Sequence, residues 1–208
     1  MIDLYTWSTP NGRKISILLE ELEIKYKVYP INIIKNEQFN SSFLEISPNN
    51  KIPAIFDHAN NISLMESGAI MLYLAEKYKK FLPSLESDRY KCIEWLSFQI
   101  ASHGPMLGQA HHFLKFNKGK SEYSEERYHK EAERLYKVMN TQLQKCKYLA
   151  GKDYTIADIA AWPWVARFEW HQIDLNKYEN VASWYTNISS REAVQKGYDV
   201  PSIGVSVS

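Results

Sequence analysis

The chain has 208 residues, 45% hydrophobic and 24% charged, which is material for a packed core and lies far from the composition of a disordered segment. Its 25 Lys and Arg against 24 Asp and Glu leave no global field to attract nucleic acid or an anionic membrane, so a small molecule or a protein is the expected partner. No run approaches the ~18 apolar residues of a spanning helix, the opening Met1-Ile2-Asp3-Leu4-Tyr5 lacks a basic-then-apolar leader, and Cys92 and Cys146 form no C-x-x-C pair; a cytoplasmic protein without a disulfide framework or zinc ribbon is expected.

Ile2, Leu4 and Thr6 alternate with Asp3 and Tyr5, the period of a short strand. Ser8-Thr9-Pro10 then supplies helix-start chemistry, a capping hydroxyl and a proline whose missing N–H has no intrahelical partner, and Ile15, Leu18, Leu19 and Leu22 follow at helical spacing. Tyr26 to Ile33 predicts a second strand, with Pro30 placing that point at a sheet edge. Ile52 to Phe56 and Ile62 to Leu64 are short apolar runs separated by Asp57-His58-Ala59-Asn60-Asn61, whose Asn pair suits a hairpin turn. From Ser67 the residues Ile70, Met71, Leu74, Ala75 and Tyr78 repeat as one helix face, so residues 1–80 form an α/β domain of order βαβ then ββα.

Phe81 to Ser87, with Pro83 among serines, is the expected linker. Residues 88–208 then predict an all-helical domain. Asp88 is expected to cap a helix carrying Cys92, Trp95, Leu96 and Gln99, which Gly104-Pro105 should break or kink. Tyr128, Ala132, Leu135, Met139 and Leu143 form another stripe, Ile156 to Phe168 and Val181 to Ile188 read as further helices, and the tail after Tyr198 is expected to fray.

The chain contains no G-x-G-x-x-G, P-loop, G-x-S-x-G or H-E-x-x-H. Adjacent His111 and His112 would diverge by about 100° on a helix and cannot share a metal as an i, i+4 pair does; they read as surface or packing residues, and no metal is expected. Lys77, Lys79 and Lys80 read as a solvated helix end. What remains is a polar set: Thr9 and Asn11, Gln38, Lys51-Ile52-Pro53, and Glu66-Ser67. Taken singly, Thr9 and Ser67 are equally helix caps, and Gln38 and Lys51 equally loop residues. Taken together, a cis Ile52–Pro53 bond would leave the Ile52 backbone free to pair with an extended peptide, Glu66 suits an amino group, the helix start at Ser67 suits a carboxylate, and Lys51 with Gln38 suits a second one. That set fits a short zwitterionic peptide with a carboxylate at each end.

At these residues the chain resembles the glutathione transferases over nearly its whole length. That resemblance implies a thioredoxin-like N-terminal domain with an Ile-Pro turn and a Glu-Ser pair for the γ-glutamyl end of glutathione, followed by the all-helical domain. Tyr154-Thr155-Ile156-Ala157-Asp158-Ile159-Ala160 looks like the family's capping motif, in which Thr155 caps and Asp158 reaches back. Ser8 to Gly12, Ile46 to Ile55, Gly104 to Gln109 with His111-His112-Phe113, and Ala161-Trp162-Pro163-Trp164 look like the bacterial nu class. That class includes glutathione-dependent disulfide-bond oxidoreductases and is similar to the transferase-like domain of a yeast regulatory prion protein. The class implies a homodimer and glutathione contacts at Asn11, Gln38, Ile52, Glu66 and Ser67, with Arg127 supplied by the partner subunit. Other transferase classes set a tyrosine or serine hydroxyl at the sulfur, which makes Tyr5 and Ser8 rivals; the Thr-Pro-Asn pattern assigns the sulfur to Thr9 and Asn11. The hairpin from Asp57 to Asn61 looks shorter than in the bacterial relatives.

The resulting expectation is an enzyme that uses the thiol of bound glutathione (reduced or as its disulfide) to reduce small disulfides, since the protein offers no redox pair of its own. One alternative is conjugation of glutathione to electrophiles in an apolar pocket lined by Met106, Phe113, Trp164 and Phe168, residues that read equally as core. A second is a non-catalytic glutathione-binding regulatory protein.

Overall fold

The computed structural model describes residues 1–202. Contacts divide the chain into two units, residues 1–80 joined by the segment from Ser190, and residues 81–189.

In the first unit, strand β1 (Ile2–Thr6) leads into helix α1 (Pro10–Glu21), strand β2 (Tyr26–Pro30), a short helix α2 (Ser41–Leu44), strands β3 (Ala54–Asp57) and β4 (Ile62–Met65), and helix α3 (Ser67–Tyr78). The sheet order is β2-β1-β3-β4, with β1 parallel to β2 and antiparallel to β3, and β3 antiparallel to β4. The β1–α1–β2 crossover forces the one parallel pair, and the four-residue turn at 58–61, with Asn61 at φ 53°, forces an antiparallel one. Pro30 ends the edge strand β2 opposite Thr6. The strand stops three residues short of the expected Ile33, because the Asn32 side chain accepts from the N–H groups of Ile34 and Lys35 and turns the chain into a 3-10 turn. Ile2, Leu4, Ile15, Leu18, Leu19, Ile55, Ile70, Met71 and Leu74 are fully buried and form this unit's core, each contributing about 1.5–3 kcal/mol. Lys77 corrects one expectation. It is paired with the fully buried Asp57, which also accepts from the Tyr73 hydroxyl at 2.5 Å, so it anchors α3 to the end of β3.

The second unit is helical. Helix α4 (Glu86–Phe98) starts two residues before the expected cap, so Asp88 lies in its first turn, where a carboxylate still favours the positive helix end. The break expected at Gly104-Pro105 is a widening instead. Pro105 cannot donate to the preceding turn, and Gln99–His103 relaxes into a π-helical turn before α5 (Gly104–Ala110) continues. A second π turn at His111–Phe116 leads to α6 (Glu122–Leu143). Helix α7 (Ile156–Val165) opens on the expected capping box, and Asp158 also accepts from the Leu149 N–H and the Trp184 Nε1–H, each at 2.9 Å. It ends before the expected Phe168, which opens a 3-10 turn to His171, and α8 (Glu179–Ser189) completes the unit. His111 is buried, stacked on His171 with ring centroids 4.6 Å apart and on Trp164 at 5.4 Å; burial, aided by the Arg167 charge, pushes its pKa down to about 4. His112 is exposed.

Helix α9 (Glu192–Tyr198) belongs with the first unit, whereas residues 88–208 were expected to form one helical domain. It packs on α1 so closely that a Cβ on Gly197 would sit 2.5 Å from the Ile17 Cα. The Ser16 hydroxyl donates to the Gly197 carbonyl at 2.6 Å, Arg191 grips Glu21 at 2.6 and 2.7 Å, and Arg13 stacks on the Tyr198 ring at 3.6 Å. Of the tail expected to fray, residues 203–208 lie outside the described residues; Pro201 is buried.

Candidate functional site

The first unit gathers six of the expected site residues around one small cleft of about 60 Å³: Asn11, Lys51, Ile52, Pro53, Glu66 and Ser67. Three chain segments bring them together. Asn11 comes from the first turn of α1, where Thr9 is the N-cap and its Oγ1 accepts from the Gly12 N–H at 3.2 Å. That turn leaves no room for a side chain at position 12, since a Cβ on Gly12 would meet the Trp7 carbonyl oxygen at 2.3 Å. No acidic residue occupies the first turn, so the positive end of α1 is not neutralised by its own side chains.

Lys51, Ile52 and Pro53 come from the loop before β3. Asn50 turns the chain with φ 49°, its N–H donating to the Ser47 carbonyl at 2.8 Å, and the Ser47 hydroxyl donates to the Lys51 carbonyl at 2.8 Å. The Ile52–Pro53 bond is cis, as expected, and among the described residues the Ile52 N–H and C=O make no backbone hydrogen bond.

Glu66 and Ser67 form the junction of β4 and α3. Glu66 takes the N-cap position with φ 68°, a conformation costly for a residue with a side chain, and the Asn49 amide donates to its carboxylate at 3.2 Å. The expectation that Ser67 caps this helix is not met. Ser67 is the first helical residue, and its hydroxyl accepts from Lys14 Nζ at 3.3 Å.

The remaining expected residues lie outside this cleft. Gln38 is in a 3-10 turn at Glu37–Phe39, its side-chain oxygen buried without a hydrogen bond. Arg127 is in the second unit, on the wall of a larger hollow of about 540 Å³ with Met106, Tyr123, Tyr128 and Arg134. Trp164 packs on His111, Phe113 stacks on Tyr128 and Phe168 meets Tyr185 edge-on, so of the four residues expected for an apolar pocket Met106 alone lines that hollow.

Neither rival for the sulfur, Tyr5 or Ser8, lines this cleft. Tyr5 stacks on Tyr29 at 4.9 Å, and burial, then the Asp3 charge, raises its pKa, which makes it a poorer acid. The Ser8 hydroxyl accepts from Arg13 Nη2 at 2.8 Å, while Arg13 Nε donates to the Tyr198 carbonyl at 2.8 Å. Among the described residues no helix is long and apolar enough to cross a membrane, and no three His, Cys, Asp or Glu side chains converge as metal ligands.

Sequence reasoning missed Lys14. It is 2% exposed, and burial lowers its pKa to about 7 against the opposing pull of Glu66. Its one signal was spacing: it stands one helical turn after Asn11 and one turn before the apolar Ile17 and Leu18.

Residues 1–76 match the family described as glutathione S-transferase, N-terminal domain, and residues 103–192 match glutathione S-transferase, C-terminal domain. The disulfide-bond oxidoreductase YfcG of Escherichia coli is 48% identical over 198 residues, covering 93% of this chain and 92% of that protein. The chain belongs to the glutathione S-transferase family. Within the family, the similarity to YfcG bears out the resemblance to the nu class. A glutathione transferase from Burkholderia graminis, solved with two glutathione molecules bound per subunit, superposes with a TM-score of 0.91 at 36% identity, covering 98% of this chain and 89% of that one. One from Pseudomonas putida, solved with one glutathione disulfide per subunit, gives 0.91 at 35% identity, covering 96% and 91%.

Proposed function

We propose that this member of the glutathione S-transferase family is a cytoplasmic, homodimeric, glutathione-dependent disulfide-bond oxidoreductase acting on small disulfides. The observation that carries the reading is the 48% identity to a disulfide-bond oxidoreductase along almost the whole of both chains. What supports glutathione in the cleft is its chemistry: a carboxylate for its amino group at Glu66, a helix start for a carboxylate at Ser67, an ammonium at Lys51, and at Ile52 a backbone N–H and C=O outside the sheet's hydrogen bonds.

When bound, glutathione supplies the thiol, two molecules converting one substrate disulfide to two thiols with release of one glutathione disulfide. The chain's own residues bind and orient. Ile52 holds the peptide as an added strand, Glu66 and Ser67 hold its γ-glutamyl end, and Lys51 and Gln38 hold its far carboxylate. Arg127 from a second copy closes the set. At the sulfur, Thr9, Asn11 and the positive end of α1 favour the thiolate, which raises the reactive fraction near neutral pH. Cys92, buried and with its pKa raised chiefly by burial, is a packing residue in this scheme.

The test is turnover of a small mixed disulfide and of an aryl halide by purified protein with glutathione. Disulfide reduction is expected to exceed conjugation by at least about a hundredfold relative to each background rate. Faster conjugation would make the chain a conventional transferase, and background rates for both would make it a binding protein.

A further inference from the structure

Behind Ser67 the cleft is backed by a buried cation that none of the expected contacts accounts for. Lys14, on the face of α1 turned toward α3, is 2% exposed, and its Nζ donates to the Ser67 Oγ at 3.3 Å. An ammonium is all donor, so the Ser67 oxygen acts as acceptor toward it, and the hydroxyl's own hydrogen must point to some other acceptor. Ser67 lines the cleft beside the N–H groups that open α3, where a carboxylate is the acceptor that fits. We propose that Lys14 is a positioning residue that turns the Ser67 hydroxyl into a donor aimed at the γ-glutamyl carboxylate of glutathione, and that this donor is lost when Lys14 gives up its proton. A neutral amine accepts as well as donates, so Ser67 would then be free to donate to Lys14 rather than into the cleft.

The charge balance around Lys14 makes the device work near neutral pH. Among the described residues, Glu66 at the head of α3 is a charged group whose field reaches Lys14 and favours its proton, against burial. Of the other charged groups on the packed elements, Arg13 on α1 is engaged with Ser8 and Tyr198, Glu20 with the Tyr26 hydroxyl, Glu21 with Arg191 of α9, Lys77 of α3 with Asp57, and Asp3 of β1 with His58, while Glu76 of α3 stands more than two turns along the helix from Ser67. Burial lowers the Lys14 pKa to about 7; a carboxylate arriving on Ser67, one hydroxyl removed from Nζ, would raise it and draw a proton in, and the ligand's ammonium on Glu66 would oppose that only in part. Affinity is therefore level below pH 7 and falls as pH rises through it.

The inference rests on glutathione occupying this cleft, and the experiment separates the two. S-methylglutathione, which has no thiol to titrate, is bound by calorimetry between pH 6 and 8 to wild type, Lys14→Met, Ser67→Ala and the double variant. Wild type is expected to lose about tenfold in affinity from pH 6 to 8, and to take up about half a proton at pH 7 when two buffers of different ionisation heat are compared. Lys14→Met is expected to bind about ten- to a hundredfold more weakly at pH 6 with a flatter profile, and to cost much less in the Ser67→Ala background. The amino group of the ligand titrates identically with every variant, so the difference between profiles reports Lys14. No binding by wild type would overturn the functional reading and this inference together. Binding without proton uptake at pH 7, or additive variants with parallel profiles, would overturn this inference alone, and the wild-type proton count decides even if Lys14→Met does not fold.

Discussion

At the scale of single residues, the start of α1 concentrates the chemistry. Thr9 caps the helix and Asn11 lines the cleft, while of the two rivals Tyr5 stacks on Tyr29 and Ser8 accepts from Arg13, and neither lines the cleft. Asn11→Ala and Thr9→Ala are each expected to slow disulfide reduction about ten- to a thousandfold, the loss of one donor to a developing or resident anion. The lower bound is realistic because nucleophilicity falls along with thiol pKa. Thr9→Ala should also lose about 1 kcal/mol of stability with its cap, which Asn11→Ala should not. Ser8→Ala and Tyr5→Phe are expected to keep turnover within about threefold of wild type under the same assay of orientation and donor loss. Kinetics of the four variants with glutathione affinity measured in parallel decide the matter; collapse in Ser8→Ala or Tyr5→Phe alone would move the sulfur to the other residue.

At the scale of elements, α1 is held by more than its own strand neighbours. Its outer side is pressed by α9, with Gly197 against the Ile17 backbone and Arg13 and Glu21 tied at either end. Backbone cannot retreat as a flexible side chain can, so Gly197→Ala is expected to destabilise by about 1–3 kcal/mol, the usual cost of overpacking. Gly108→Ala is the control. Its Cβ would meet the Trp164 ring at an ordinary 3.4 Å, and alanine favours helix, so that variant should be neutral or up to about 1 kcal/mol more stable. Denaturant midpoints of the pair check this, and equal midpoints would show that α9 does not press on α1 as described.

At the scale of the whole molecule, Arg127 is the residue whose proposed use lies beyond its own subunit. It stands in α6 beside a hollow shared with Tyr123, Glu126 and Glu131. A two-fold dimer, the commonest closed assembly, is the arrangement in which each copy supplies this arginine to the other. Sedimentation at micromolar concentration is expected to show the dimer, and Arg127→Ala should weaken glutathione binding by about 1.5–3 kcal/mol, the range of a charge-assisted hydrogen bond. A monomer that binds glutathione as tightly as wild type would remove Arg127 from the site.

The sequence by itself determined what rests on local chemistry and short-range pattern. The alternation of Ile2, Leu4 and Thr6, the Thr9-Pro10 start of α1, the turn before β4 and the Thr155–Asp158 box each depend on residues within a few positions of one another, and each stands where the pattern put it. The cis Ile52–Pro53 turn and the Glu66–Ser67 junction were legible for the same reason, because both are short motifs with distinct side-chain chemistry. Tertiary structure alone decided the rest. Whether Lys14 is a solvated cation or a buried donor to Ser67 depends on what packs over it, and Ser67 lies 53 positions away along the chain. Whether α9 belongs with the helices before it or with α1 depends on Gly197 meeting Ile17, a contact that no periodicity within either helix encodes. Burial is a property of what comes to cover a residue, and these covering segments are distant in sequence.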